Sequence, residues 1–193
     1  MHSSRSNRGL QPNLNVVYTV KMINTIISAA IFEEFPFRNY NVIYTGIGKV
    51  NAAINLYSYL INYPDVKLII NVGTAGGVNC KKNQLIECGV FEDGQLNYPG
   101  STDEIIVFDE SKSKILTFDN FIFEKPEKYC ECVDMESFAL AKVCKTLGVN
   151  FKCYKYITDI VGEVGQDTEW LGNISKGKEL LKNKIDEVLK KDS

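Results

Sequence analysis

Short apolar runs rich in β-branched and aromatic residues punctuate the chain: LNVVYTV (14–20), NVIYT (41–45), KLIINV (67–72), QLIECGVF (84–91), EIIVF (104–108), KILTF (114–118) and FKCYKYIT (151–158). Runs of this length and make-up predict strands. Other segments carry apolar positions three and four apart and predict helices over 22–34, 50–62, 134–147 and 175–190. The third is the clearest. Met135, Phe138, Ala139, Val143 and Leu147 form one stripe, with Lys142 and Lys145 among them. Asp134 stands where an N-cap belongs and Gly148 where a C-cap needs positive φ. The alternation predicts an α/β fold, a sheet covered by helices, formed as one domain over 14–193. The polar stretch MHSSRSNRGLQPN (1–13) reads as a disordered arm ahead of it.

Composition narrows the function. The 193 residues are 45% hydrophobic, enough for one good core, and no Pro/Gly/Ser-rich linker divides them. A net charge of -2 without a basic stripe argues against nucleic acid as a partner and favours small molecules or other proteins. The first thirteen residues lack the apolar centre of a signal peptide, and no run approaches the ~18 apolar residues of a membrane span, so a cytoplasmic protein with no membrane association is expected. Six cysteines, at 80, 88, 130, 132, 144 and 153, have no CxxC spacing and read as buried free thiols. His2 is the one histidine, which removes His-dependent triads and HExxH zinc sites. No metal or other cofactor is expected. Chemistry falls to carboxylates, hydroxyls, thiols, lysines or backbone groups.

In sheets of this kind ligands gather beyond the carboxyl ends of the strands. Four such places stand out: TGIGKVNAA (45–53), NVGTAGG (71–77), ITDIVGE (157–163) and the turn at 133–136. GIGKVN is no dinucleotide fingerprint, because Asn51 holds the third glycine position, and its lysine spacing makes no Walker A loop. It reads as a tight turn before a helix. GTAGG is either a plain turn or a cradle whose backbone N–H groups approach a ligand closely, with the Thr74 hydroxyl added. Asp159 either caps the next turn or acts on a ligand. Capping explains Asp134 but leaves Glu136 without a reason. Two acids at strand ends, Glu136 and Asp159, beside a glycine cradle make the ligand reading of the set stronger than any one motif.

The ordered elements TGIGKVNAA, IINVGTAGG, FDNFIF, VDMESFALAKVC and YITDIVGE resemble the nucleoside phosphorylase and nucleosidase superfamily, specifically the short methylthioadenosine/S-adenosylhomocysteine nucleosidases. The resemblance implies a single-domain three-layer αβα fold around a mixed sheet, a purine nucleoside as the small-molecule partner, and a homodimer. It implies that Glu136 holds the ribose hydroxyls with Met135 packed on the sugar, that Phe121 stacks on the base, and that the Ile122 backbone pairs with the base edge. Thr74, Ala75 and Gly76 would lie under the sugar and the nucleophile. Asp159 would protonate, or hydrogen-bond, purine N7.

Hydrolysis releasing adenine is the expected reaction, with phosphorolysis as the alternative. Phosphate needs an anion site, and the only arginines, Arg5, Arg8 and Arg38, lie outside the motifs. The resemblance also calls for a water-activating glutamate after the first strand. TVKMINTII (19–27) has no carboxylate, and Glu33 and Glu34 lie more than two turns beyond Met22 on the expected helix, so neither is carried over. Asn24 and Thr25 are the positions where the carboxylate would be missing. This keeps a third alternative open, a catalytically weak nucleoside-binding protein.

Overall fold

LIINVGTAGG, β-branched at its start and glycine-rich at its end, forms strand β3 (Leu68–Gly77), buried along almost its whole length. The computed structural model describes residues 24–96 and 104–191; the expected arm at 1–13 and strand at 14–20 lie outside the described residues. β3 runs parallel to β1 (Thr25–Ala29) on one side and to β8 (Asn150–Ile160) on the other, and its last two glycines pair antiparallel with β7 (Cys132–Asp134). β2 (Val42–Tyr44) extends the sheet beyond β1. On the far side lie β4 (Leu85–Asp93), β5 (Ile105–Val107) and β6 (Ser113–Thr117). β6 is parallel to both β4 and β7, while β4 is antiparallel to β5 and β8. The pairings β3–β8–β4–β6–β7–β3 close into a ring, so the mixed sheet curls into a small barrel at one end.

Helices cover both faces. Ala52, Leu56 and Leu60 of α1 (Lys49–Asn62) and Phe138, Leu140, Ala141 and Val143 of α2 (Ser137–Leu147) share one apolar cluster with Ile69, Phe91 and Ile115 of the sheet. Leu181, Ile185 and Val188 of α4 (Lys178–Lys191) pack on the other face with Ile70, Val72 and Tyr154. Each such fully buried aliphatic or aromatic side chain contributes about 1.5–3 kcal/mol. The three-layer αβα architecture expected from the motifs is the architecture observed. All six cysteines are free thiols, five of them buried.

Two sequence expectations need correction. The helix expected over 22–34 is strand β1 followed by a 3-10 turn at Phe32–Glu34. β1 lies between β2 and β3, so Ile26, Ile27 and Ala29 are all buried, and a run of this kind carries no alternation to separate strand from helix. A helix not expected at all, α3 (Gln166–Asn173), crosses beside the end of β8. The helix expected from 134 begins at Ser137, after β7, and ends with Gly148 in the left-handed conformation. Asp134 nonetheless accepts the Ser137 N–H at 3.0 Å, the bond an N-cap makes.

Candidate active site

The carboxyl ends of β1, β3, β7 and β8 converge on a cavity of about 330 Å³. Thr74, Ala75, Gly76, Phe121, Ile122, Met135, Glu136 and Asp159 all line it, so the structure brings together every site residue named from the sequence. Glu34, weighed from the sequence and set aside, lines it too, as do Ile47, Gln166 and Trp170, which were not named as site residues.

Glu34 sits on the floor. Its Oε1 accepts the Thr74 N–H and the Thr74 hydroxyl, each at 2.8 Å, and Oε2 accepts the Ala30 N–H at 3.2 Å. The 3-10 turn after β1 swings it over β3. A Cβ on Gly73 would stand 3.0 Å from Oε1 and 3.1 Å from Oε2, so only glycine lets the carboxylate lie across the strand. The expectation that no carboxylate follows the first strand is therefore overturned. Asn24 and Thr25, suggested as the vacant positions, stand at the opposite end of β1: the Asn24 carbonyl accepts the Leu68 N–H at the start of β3. The clue in the sequence was the Glu33–Glu34 pair five residues after a β-branched run.

Asp159 enters from β8 at a register shift, where Ala75 pairs with Ile157 but Gly76 with Asp159. The extra residue, Thr158, makes a bulge that bends the strand beside the cavity. The Thr158 hydroxyl donates to Asp159 Oδ1 at 2.6 Å. Oδ2 is buried without a hydrogen-bond partner among the described residues. Burial raises the Asp159 carboxyl above its ordinary range, against the pull of the Thr158 and Gln166 hydrogen bonds. A buried oxygen left unpartnered at the wall of the cavity suits a group that bonds to a ligand.

Glu136 stands where β7 turns into α2, its Oε1 accepting the Gly48 N–H at 2.9 Å. Burial, then the nearby Asp134 charge, push its carboxyl up to about 8. Asp134 itself is fully engaged with Ser137, the Thr117 hydroxyl (2.7 Å) and the buried Lys155 ammonium (2.9 Å). Burial alone would lower Lys155; Asp134 beside it overrides this and raises it.

Phe121 and Ile122 form the opposite wall. Lys49 fixes the start of their loop through ion pairs to Asp93 (2.8 Å) and Asp119 (3.2 Å). Gln166 of α3 donates to the Ile122 carbonyl and accepts the Gly162 N–H, each at 3.1 Å. Trp170 lies 6.0 Å from the Phe121 ring and its indole N–H donates to Thr74 Oγ1 at 3.3 Å. No lysine, arginine or histidine lines the cavity among the described residues, and Lys49 and Lys155, which touch its acids, are already paired.

No family model matches the sequence. A 5′-methylthioadenosine/S-adenosylhomocysteine nucleosidase of Halalkalibacterium halodurans is 29% identical over 154 residues, 61% of this chain and 66% of the relative, so the match spans just under two thirds of that protein. Among solved structures, futalosine hydrolase of Helicobacter pylori superposes with a TM-score of 0.71 at 20% identity over 86% of this chain and 99% of that one. A 5′-methylthioadenosine/S-adenosylhomocysteine nucleosidase of the same organism gives 0.70 at 19% over 84% and 97%. The Streptococcus pneumoniae MTA/SAH nucleosidase, in complex with 8-aminoadenine, gives 0.70 at 16% over 81% and 94%. At such identities the structural likeness is one of fold. The chain shares the fold of these nucleosidase and hydrolase structures across most of its length, and it has a sequence likeness to one nucleosidase over 154 residues.

Proposed function

We propose that the protein hydrolyses the N-glycosidic bond of a purine nucleoside of the methylthioadenosine/S-adenosylhomocysteine type, releasing adenine, and that residues 14–193 form one nucleosidase domain. The observation that carries this reading is that, of the buried carboxylates around one cavity whose described lining has no cation, Glu34, Glu136 and Asp159 are left without an ion pair among the described residues while Asp134 is held by Lys155. Glu34, held only through bonds it accepts, takes a proton from the attacking water. As the water oxygen bonds to C1′, the bond from C1′ to N9 breaks and Asp159 delivers its proton to purine N7, so the base leaves neutral. Glu136 and Met135 hold the ribose, Phe121 and Ile122 the base, and Thr74, Ala75 and Gly76 form the floor. A protonated Glu136 can both donate to and accept from a pair of sugar hydroxyls. The placement of Glu34 beside the glycine floor supports an active hydrolase over a catalytically weak binder.

The test is incubation with methylthioadenosine, S-adenosylhomocysteine, adenosine and inosine, with and without phosphate. Free base with free sugar is expected, unaffected by phosphate; a sugar 1-phosphate would make the protein a phosphorylase. Asp159→Asn should lower kcat on the order of 100-fold or more while KM moves little. Unchanged turnover would return Asp159 to a capping role.

A homodimer is part of the same reading. α1 buries Ala52, Leu56 and Leu60 but leaves Val50 (68% exposed), Ile54 (59%), Tyr57 and Ile61 as a second apolar stripe. Ile47, at the head of that stripe, lines the cavity, so the uncovered surface is continuous with the site. A second copy covering it makes a symmetric contact. Sedimentation should give a dimer that Ile54→Glu dissociates.

A further inference from the structure

The Thr74 hydroxyl bonds both Glu34 on the floor of the cavity and Trp170 of α3. Its oxygen receives the indole N–H of Trp170 at 3.3 Å, and its proton goes to Glu34 Oε1 at 2.8 Å. The direction is forced. An indole nitrogen can only donate, so the Thr74 oxygen accepts from it and the single hydroxyl proton is left for Glu34. The same carboxylate oxygen takes the Thr74 backbone N–H, while Ala30 holds the other. We propose that Trp170 is a positioning residue for the water-activating base: its N–H locks the Thr74 hydroxyl as a donor to Glu34 and fixes the carboxylate plane. The seating of α3 over the cavity is thereby linked to the orientation of the base. This role rests on reading Glu34 as the base.

Chains of hydrogen bonds that run in one direction reinforce each other, and losing the first donor frees the next hydroxyl to turn away. α3 does not depend on this bond for its place. Asn173 donates to the Thr158 carbonyl at 2.9 Å, Lys82 pairs with Glu169 at 2.6 Å, and Gln166 holds the Ile122 carbonyl. Trp170→Phe therefore removes the N–H while keeping an aromatic wall against Phe121 and a docked helix.

The test is a double-mutant cycle on turnover with Trp170→Phe, Thr74→Val and both together. Trp170→Phe should lower kcat about tenfold with KM within about threefold, Thr74→Val should lower it at least as far, and the double variant should match Thr74→Val alone. Losses that multiply would show Trp170 acting independently of Thr74 and overturn the proposal. A second readout needs no catalysis. Trp170 is the only tryptophan of the chain, so its fluorescence reports this contact directly. Thr74→Val should shift the emission of the ligand-free protein, and an unmoved spectrum overturns the positioning role. Failure of the base reading looks different: Glu34→Gln would keep full turnover while Thr74→Val still shifted the emission. That pairing overturns both the base and the role built on it.

Discussion

Glu34 and Glu136 are buried glutamates of the same cavity, exposed by 7% and 8%, yet their surroundings prepare them for opposite chemistry. Three donors converge on Glu34, two of them backbone N–H groups held by β3 and by the turn after β1. Glu136 receives one, from Gly48, and faces the negative charge of Asp134. Donors stabilise a carboxylate as an acceptor, whereas burial beside a like charge keeps a proton on it. On the proposed reading, one side chain type serves as the water-activating base on the floor and as the holder of the sugar hydroxyls on the rim. Identity of residue does not decide the role; the number of donors in reach does.

The comparison breaks most visibly at Glu34. Glu34→Gln should reduce kcat by roughly 100- to 10,000-fold while nucleoside affinity, measured by calorimetry, stays within a few-fold. Equal losses of turnover and affinity would make Glu34 a binding group like Glu136. Gly73→Ala is the next largest effect. The new Cβ meets the Glu34 carboxylate at 3.0 Å and must push a flexible tip off its donors. Turnover should fall at least about tenfold, while stability changes by only about 1 kcal/mol, within the range of mild overpacking. A Gly73→Ala protein with full activity would mean that the placement of Glu34 is unimportant.

Glu136 should reveal itself through pH. Its carboxyl is raised from the ordinary 4.5 to about 8, so the native chain binds this proton more tightly than the unfolded chain. The stability it contributes is fully present below pH 4.5 and is lost as pH rises through about 8. Glu136→Gln cannot lose a proton, so in thermal melts it should gain on the wild type from pH 5 to 9, by on the order of a few kcal/mol. Parallel melting curves would erase the contrast with Glu34. The smallest effect is expected at the other end of β1. Asn24→Glu and Thr25→Glu should leave turnover unchanged, because they lie at the entry to the parallel strands and away from the cavity. A gain from either would mean that Glu34 is not the base.

Most of the sheet was legible because its strands are β-branched runs bounded by turns: NVIYT, QLIECGVF, KILTF and FKCYKYIT match β2, β4, β6 and β8 within two or three residues at each end. The gathering of Thr74, Met135, Phe121 and Asp159 was legible as well, since each follows or ends a strand and carries a motif in family order. Glu34 was hidden by the misreading of β1 as helix. Its partner Thr74 is 40 residues away, and no local pattern records that contact. α3 escaped for a related reason. QDTEWLGN has no apolar stripe, and it is held by hydrogen bonds and an ion pair to distant groups at Thr74, Thr158 and Lys82.

By itself the sequence determined the α/β class, the glycine-rich floor and the acids at strand ends, because these depend on side-chain period and turn chemistry within a few residues. Tertiary structure decided which glutamate reaches the floor, which acid is neutralised by Lys155, and where the bulge at Thr158 sets Asp159. Those outcomes turn on donors, charges and strand register supplied by segments far apart in the chain. Only the folded sheet brings them within hydrogen-bonding distance.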